Sequence, residues 1–271
     1  MNQQTSFAQS EYARKKKTPR REKFLAQMGA VVPWARLVAV IVPHYPAGRR
    51  GRPPVGIERM LRLYFLQQWY ARADEAIEDA IYDSQALRTF AGIDLGSEAV
   101  PDATTLLHFR HLLEAHDLGR RIFGEVGALL VEKKLLMREG TAANVSDSSQ
   151  AHALLHGGEK SAGADAGYTG VEKRPEIVAL GGGIEWRVAA RRSTFQAQPE
   201  GWAEAIGGAW ETLNARARAL VEHPFHIIKN IFRHRKVRYR GLAKNTGQLR
   251  VLFALANLYM VRRQLACAAA A

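Results

Sequence analysis

Residues 136–147 read LMREGTAANVSD, and the organisation of the whole chain changes at the glycine within this stretch, Gly140. Between residues 21 and 139, apolar side chains recur every three or four residues, as one face of an α-helix requires. After Gly140, short runs of small residues alternate with glycines before helical periodicity returns. The pattern predicts a basic, flexible leader at 1–22, an all-helical domain at 23–139 and a mixed α/β domain at 140–271.

One helix of the first domain could read DNA. Asp102 is a candidate N-cap for a helix over residues 103–114, which mixes exposed polar side chains with apolar positions. A short helical stretch and a turn at Gly92 precede it, so it could be the second helix of a helix-turn-helix. An ordinary core helix is the alternative.

The mixed half carries strand and helix signals in order. Residues 161–166 and 186–190 are typical of short strands, and the helical period returns over 202–232. Residues 245–264 predict a final amphipathic helix. The fold class expected is therefore α+β and multi-domain.

Composition narrows the class of partner. The 271 residues include 39 Lys and Arg against 26 Asp and Glu, giving a net charge of +13. A single cysteine, Cys267, excludes an internal disulfide and favours a reducing compartment. The longest uncharged apolar run, 251–261, is about half of the ~20 residues that a membrane span needs, so no membrane partner is expected. A basic intracellular protein predicts a polyanionic partner, most commonly nucleic acid.

The positive charge is concentrated in three basic zones: residues 11–23, residues 48–54, and the chain after Glu222, which has ten Lys or Arg and no acid. Each zone could be simply a solvated face, but three of them together favour phosphate binding. The side chains predicted to bind DNA, which also include one from the candidate reading helix, are Lys15, Lys16, Arg49, Arg50, Arg52, Arg110, Arg233, Arg235, Lys236, Arg238, Arg240 and Lys244.

Two carboxylates are candidates for metal binding. Asp165 ends a strand-like run and is followed by glycines, an arrangement that exposes oxygen ligands to a hard divalent cation. Glu222 shares a helical stripe with Arg218, His226 and Lys229 at i, i+4, i+8 and i+11, which Pro224 should interrupt. A surface ladder of ion pairs explains the same spacing.

Several strings taken in order resemble bacterial insertion-sequence transposases of the DDE type, specifically family five within the family four/five superfamily. In the first half they are VPWARL (32–37), PHYP (43–46), GRPP (51–54), FLQQWY (65–70) and FRHLLE (109–114). In the second half they are AANVSD (142–147), DAGYTG (165–170), VEHPF (221–225) and VRYRGLAKN (237–245). The resemblance covers nearly the whole chain.

The resemblance implies an RNase H-like catalytic domain that binds two Mg²⁺ (or Mn²⁺) ions through an Asp, Asp, Glu triad. Asp165 matches the second carboxylate and Glu222 the third. Arg218 and Lys229 match the basic members of the family's Tyr-Arg-Glu-Lys signature, whose tyrosine is replaced here by Ala215.

The first carboxylate of that triad has no counterpart in this chain. In the family it lies in a Gly-Thr-x-x-Asp-Ala-Thr strand, whereas here Gly140-Thr141 runs directly into a string that follows a later Gly-Thr. This indicates an internal deletion after Thr141 that removes the first aspartate and the opening strands. Asp147 is the nearest acid, but it matches a residue outside the triad. Loss of a bridging carboxylate is expected to weaken binding of both metal ions.

The sequence thus predicts an insertion-sequence transposase with an all-α DNA-binding domain and a truncated RNase H-like catalytic domain, impaired in cleavage and strand transfer. The alternative is a non-catalytic DNA-binding remnant. The expected partner is double-stranded DNA with terminal inverted repeats, the chain could act as a homodimer, and its expected place is the bacterial cytoplasm, at the nucleoid. A basic RNA-associated protein is a third, weaker hypothesis.

Overall fold

The structure is a computed structural model that describes residues 16–46, 48, 53–135, 141–143, 161–164, 169–179, 184–188 and 222–270. The chain divides into two compact units. The helical unit comprises residues 1–135 and 226–271, and the sheet unit comprises residues 136–225.

The helical unit is built from α1 (Arg20–Val31), α2 (Trp34–Ile41), a 3₁₀ turn (Val42–His44), α3 (Ile57–Tyr70), α4 (Asp74–Asp83), α5 (Gln85–Ala91), α6 (Ala103–Ala115), α7 (Leu118–Glu132), a π-helix (Ile227–Ile231) and α9 (Leu242–Ala270). The sheet unit contains β1 (Thr141–Ala143), β2 (Ser161–Ala164), a 3₁₀ turn (Val171–Lys173), α8 (Pro175–Val178) and β3 (Glu185–Val188). The helical periodicity that the sequence shows before Gly140 is realised throughout the described part of that half.

Apolar side chains from all the long helices form one core in the helical unit. Aromatic rings line part of it: Trp69 makes edge contacts with Phe24 at 5.4 Å and with Phe90 at 5.5 Å between ring centroids. Rings in this geometry add about 0.5–1.5 kcal/mol per pair to the stabilisation from burial. The largest fully buried side chains are Trp69, Phe65, Phe232, Met28, Leu37, Ile41, Met60, Leu61, Leu63, Leu66 and Ile77.

The C-terminal helix α9 packs against α7 and α1, at the centre of the helical unit. Gly119 lies so close to Gly247 that an added Cβ would stand 2.7 Å from the Gly247 carbonyl oxygen. The buried amide of Gln248 also donates to Gln68 Oε1 at 2.9 Å, joining α9 to α3. The sequence-based division placed residues 226–271 in the second domain, whereas their packing groups them with the helices of the first.

Helix α6 begins where the sequence predicts. The Asp102 carboxylate accepts a hydrogen bond from the Thr105 backbone N–H at 2.7 Å, so Asp102 is the N-cap. Helices α5 and α6 do not form a helix-turn-helix. Residues 92–102 separate α5 from α6, far more than the three or four residues of such a turn, and α5 packs mainly on α1, α3 and α4. The core-helix alternative explains the burial of Leu106, Phe109 and Leu113.

The described strands of the sheet unit are all parallel, in the order β1-β2-β3. The register pairs Ala143 with Ala164, and Ala164 with Val188, so the carboxyl ends of all three strands meet at one edge. The predicted strand 161–166 is observed as Ser161–Ala164, and the predicted strand 186–190 is observed as Glu185–Val188. Parallel strands need crossover connections, and α8 lies within the one between β2 and β3.

No single helix in the described parts of the chain is long and apolar enough to cross a membrane. The bent pair Arg20–Val31 and Trp34–His44 passes that test jointly, with 69° between its two members. Met28, Leu37 and Ile41 of this pair are fully buried in the helical unit, as expected of core helices.

Candidate nucleic-acid interface

Arg238 attaches the third basic zone to the C-terminal end of α3. Its guanidinium donates to the carbonyl oxygen of Arg72 at 2.8 Å and to that of Ala71. These carbonyls follow the end of α3, where Ala71 caps the helix in the left-handed conformation with a φ of 47°. A cation at a helix C-terminus is favourable because unpaired carbonyl groups concentrate negative charge there. Arg238 therefore fixes the backbone position of this segment.

Tyr239 is fixed by a second set of contacts. The Arg110 guanidinium carbon lies 4.8 Å from the centroid of the Tyr239 ring, and Arg110 donates to both oxygens of Asp74 at 2.8 and 2.9 Å. Burial raises the pKa of the Tyr239 hydroxyl, and the charge of Arg110 partly offsets that rise. Arg110 was predicted to bind DNA, but only 14% of its side chain is exposed and it is already paired with Asp74.

Asn245 closes the loop that follows Tyr239. Its side-chain amide donates to the carbonyls of Tyr239 and Gly241 at 2.7 and 2.6 Å, and its oxygen accepts from the Tyr239 N–H at 3.3 Å. Gly241 has a φ of 95°, a conformation that side chains disfavour. On the preceding side, Arg235 donates to the Lys229 carbonyl at 3.2 Å and to the Asn230 side chain at 3.1 Å.

The other cations between residues 232 and 244 are exposed. Arg233, Lys236 and Arg240 are exposed and form no ion pair with any residue that the structure describes. Arg233 adopts a φ of 60°, the left-handed region in which a non-glycine residue costs about 1–2 kcal/mol. Lys244 is half exposed, with its Nζ 3.8 Å from Glu114 Oε2. A fixed backbone thus presents a row of charged side chains.

His234, next to Arg233 in the sequence, is partly buried. Partial burial lowers the pKa of its imidazole, and the neighbouring charge of Arg238 lowers it further. The imidazole therefore favours its neutral form more strongly than a free histidine does. The charge of this surface at neutral pH consequently comes from Arg and Lys.

The predicted catalytic residues are only partly within the described chain. Glu222 and Lys229 are described and exposed, whereas Asp165, Arg218 and Asp147 lie outside the described residues. Among the residues that the structure describes, no three His, Cys, Asp or Glu side chains come together as a metal site would require. The described carboxylates thus do not by themselves make up a divalent-metal site, and Asp165 follows the last residue of β2 in the sequence.

The helical stripe predicted through Glu222 is not continuous. Residues 222–226 are α-helical, but Ile227–Ile231 form a π-helix with wider turns. A spacing of i+11 places residues on one face only under α-helical periodicity, so the stripe does not extend past His226 to Lys229. Arg218, where the stripe would begin, lies outside the described residues, and the catalytic role of Lys229 stays a prediction. The expected interruption near Pro224 takes this form.

The predicted DNA-binding residues fall into three groups. Lys15, Arg49, Arg50 and Arg52 lie outside the described residues, and Lys16 is exposed. Arg110 and Arg238 are occupied by protein groups, and the other predicted cations of the third zone are exposed. Sequence reasoning missed Asp74 and the carbonyls after α3, because they lie far along the chain from the arginines they bind. It also missed Asn245, whose side chain binds nearby backbone carbonyls.

Comparison with protein families identifies the class of protein. A family model described as "Transposase DDE domain" matches residues 102–258, more than half of the chain. A second, described as "Transposase domain (DUF772)", matches residues 12–112. The chain belongs to the DDE transposase family. No solved structure matches it.

Proposed function

We propose that this chain is an insertion-sequence transposase of family five that binds double-stranded DNA through its helical unit and is impaired in DNA cleavage and strand transfer. Membership of the DDE transposase family supports the class of reaction, since transposases act on DNA. The observation that carries DNA binding is the part of the third basic zone between residues 233 and 245. Its backbone is held by contacts of Arg238, Tyr239 and Asn245, while its other cations are exposed.

The physical argument for a duplex partner rests on preorganisation. Contacts to phosphates release condensed counterions, and each one adds roughly 0.9 to the slope of log affinity against log salt. Cations on a fixed backbone lose less conformational entropy on binding than cations on a free chain. Arg233, Lys236 and Arg240 are the side chains that we propose contact phosphates, with Arg235, Lys244 and Lys16 beside them. Arg110 and Arg238 hold the surface in place.

Catalysis is assigned by resemblance. DDE transposase domains generally use a divalent metal, which acts as a Lewis acid on the phosphodiester. We propose Asp165 and Glu222 as the carboxylate ligands for Mg²⁺ or Mn²⁺, with Arg218 and Lys229 as neighbouring cations. The strand order supports this choice, because Asp165 directly follows in sequence the last residue of the central strand, Ala164, at the edge where the carboxyl ends of the three strands meet.

The proposed impairment comes from the junction at Thr141. An internal deletion there removes the first aspartate, and a site with two carboxylates in place of three binds two cations less tightly. β1 starts directly at Thr141 and pairs along β2, so the short strand after the junction takes part in the sheet. A chain with no residual cleavage, a DNA-binding remnant, is the second candidate, and the same missing aspartate favours it.

Binding is tested by fluorescence anisotropy of the full chain with labelled duplex DNA over a range of salt concentrations. The expected result is an affinity that falls steeply with salt and a duplex that is recovered intact in Mg²⁺. A flat salt response would contradict the proposal. Terminal inverted repeats flanking the coding sequence, a homodimer on DNA and a place at the bacterial nucleoid are further parts of it.

A further inference from the structure

The first basic zone reaches the same turn that anchors the third. The Arg21 guanidinium carbon lies 5.4 Å from the centroid of the Tyr70 ring, at the last residue of α3. Arg21 and Arg72 also line one shallow surface cleft. Lys16, Lys17, Arg20 and Lys23, on either side of Arg21, are all exposed.

The third basic zone arrives from the other end of the chain. Arg238 binds the carbonyl oxygens of Ala71 and Arg72, the two residues after Tyr70. Two zones that are more than two hundred residues apart in sequence are therefore anchored on three consecutive residues. Consecutive Cα atoms are about 3.8 Å apart, so both zones are attached to the same short stretch of backbone.

We infer that the first and third basic zones form one composite face, centred on the turn Tyr70–Ala71–Arg72, that binds the phosphate backbones of a single DNA duplex. The inference rests on the proposed DNA binding and adds where the duplex lies. The exposed cations that would contact phosphates are Arg20 and Lys23 on one side of the turn, Arg72 at its centre, and Lys236 and Arg240 on the other. A duplex suits this arrangement because its two backbones border each groove at separations of about 6–12 Å.

Two acids border the same face. Asp79 and Asp83 are exposed and line the cleft with Arg21 and Arg72. A duplex lying across the turn would bring its phosphates near these carboxylates, which would oppose binding. Their removal therefore gives a test whose sign is opposite to that of removing cations.

The test measures the salt dependence of binding by the full chain to a labelled duplex of about two helical turns, ~20 bp, at one-to-one stoichiometry. Three charge-neutralised variants are compared with the wild type: Arg20→Gln with Lys23→Gln, Lys236→Gln with Arg240→Gln, and all four together. Each pair is expected to lower the salt slope by roughly two, and the fourfold variant by roughly four, at about 0.9 per lost phosphate contact. Asp79→Asn with Asp83→Asn is expected to raise affinity.

A matched control removes equal charge elsewhere on the helical unit. Lys133 and Lys134 are exposed and follow Glu132, which pairs with Arg36 beyond the C-terminal end of α1. The length of α1, roughly 18 Å at 1.5 Å per residue, lies between Arg36 and the start of that helix. Lys133→Gln with Lys134→Gln is expected to change the slope by less than half as much as either test pair. Far-UV circular dichroism checks that every variant is folded.

The outcomes separate the two claims. If only one test pair lowers the salt slope, or if the two acid replacements leave affinity unchanged or reduced, the composite face is wrong while DNA binding stands. If the control pair lowers the slope as much as the test pairs, the face is not localised at the turn and the inference also fails. If the wild type shows no salt-dependent binding, the proposed function itself fails.

Discussion

The two units of this transposase differ in how many buried apolar side chains their described residues contain. Apolar side chains of the helical unit form a continuous core that includes both the first helices and the last one. In the described part of the sheet unit, the buried apolar side chains are Ala162, Val171 and Ile177, beside three strands of three or four residues each. The core of the helical unit thus joins segments from both ends of the chain, whereas the sheet unit is one continuous segment, 136–225.

The two proposed activities, DNA binding and catalysis, fall in different units. The basic surface that we propose for DNA belongs to the helical unit, and the junction that we propose removes the first catalytic aspartate belongs to the sheet unit. Binding and chemistry can then be lost independently.

Replacing one buried isoleucine in each unit tests whether the two units differ in stability. Ile122→Ala removes a fully buried side chain from α7 and is expected to cost about 2–5 kcal/mol, because the lost burial and the cavity both destabilise the core. Ile177→Ala, in the four-residue helix α8, is expected to lower the free energy of unfolding reported by helical circular dichroism by less than half as much. Urea unfolding followed by far-UV circular dichroism measures both. Equal costs would show that the two units unfold as one.

Local features of the fold could be predicted from the sequence, whereas the partners of the last helix could not. The three- and four-residue spacing of Met60, Leu61 and Tyr64 and the N-cap at Asp102 are local signals, and the structure contains both. An amphipathic pattern over 245–264 predicts a helix but does not say which surface covers it. The approach of Gly247 to Gly119 joins positions that are 128 residues apart, and no local pattern encodes it.

Two glycines of α7 test whether α9 belongs to the helical unit. Gly119→Ala is expected to destabilise the chain by about 1–3 kcal/mol, because its Cβ would overlap the Gly247 carbonyl. Gly124→Ala, on the same helix with open space around it, is expected to stabilise by about 0.5–1 kcal/mol. Thermal and urea denaturation would show shifts of opposite sign. Two shifts of the same sign would contradict the close packing of α7 on α9.

The sequence predicted the positive charge of the candidate interface, but it did not predict which of its cations bind protein groups and which are exposed. The run of cations after Glu222 is visible in the sequence, and its exposed members lie where a polyanion could reach them. Nothing in the sequence separates Arg238 and Arg110, which bind protein groups, from Lys236 and Arg240. The difference depends on carbonyls after α3 and on Asp74, which only the folded chain brings near.

Arg233 allows stability and binding to be separated within one residue. Arg233→Gly is expected to stabilise the helical unit by up to about 1 kcal/mol, because glycine adopts the left-handed conformation without the cost of a Cβ. The same change is expected to lower the salt slope of DNA binding by about 0.9. Urea unfolding and anisotropy measured on one preparation provide both values. Stabilisation with unchanged DNA binding would remove Arg233 from the interface.

The smallest expected effect is on the pH dependence of stability. The pKa of His234 is lowered in the folded protein below its ordinary value of 6.5, so the unfolded chain binds its proton more readily. Stability from this residue is complete above about pH 6.5 and is lost as the pH falls toward the lowered pKa. His234→Gln is expected to flatten that decline in urea midpoints between roughly pH 6.5 and 5. An unchanged pH profile would contradict the assignment.

We propose that this transposase binds DNA but does not cut it efficiently. The most direct measurement incubates the full chain with supercoiled plasmid in Mg²⁺ or Mn²⁺, scoring retardation on a native gel and plasmid topology after the protein is digested. We expect a retarded plasmid that is recovered supercoiled, with Asp165→Ala and Glu222→Gln indistinguishable from the wild type. Metal-dependent nicking that either substitution abolishes would contradict it.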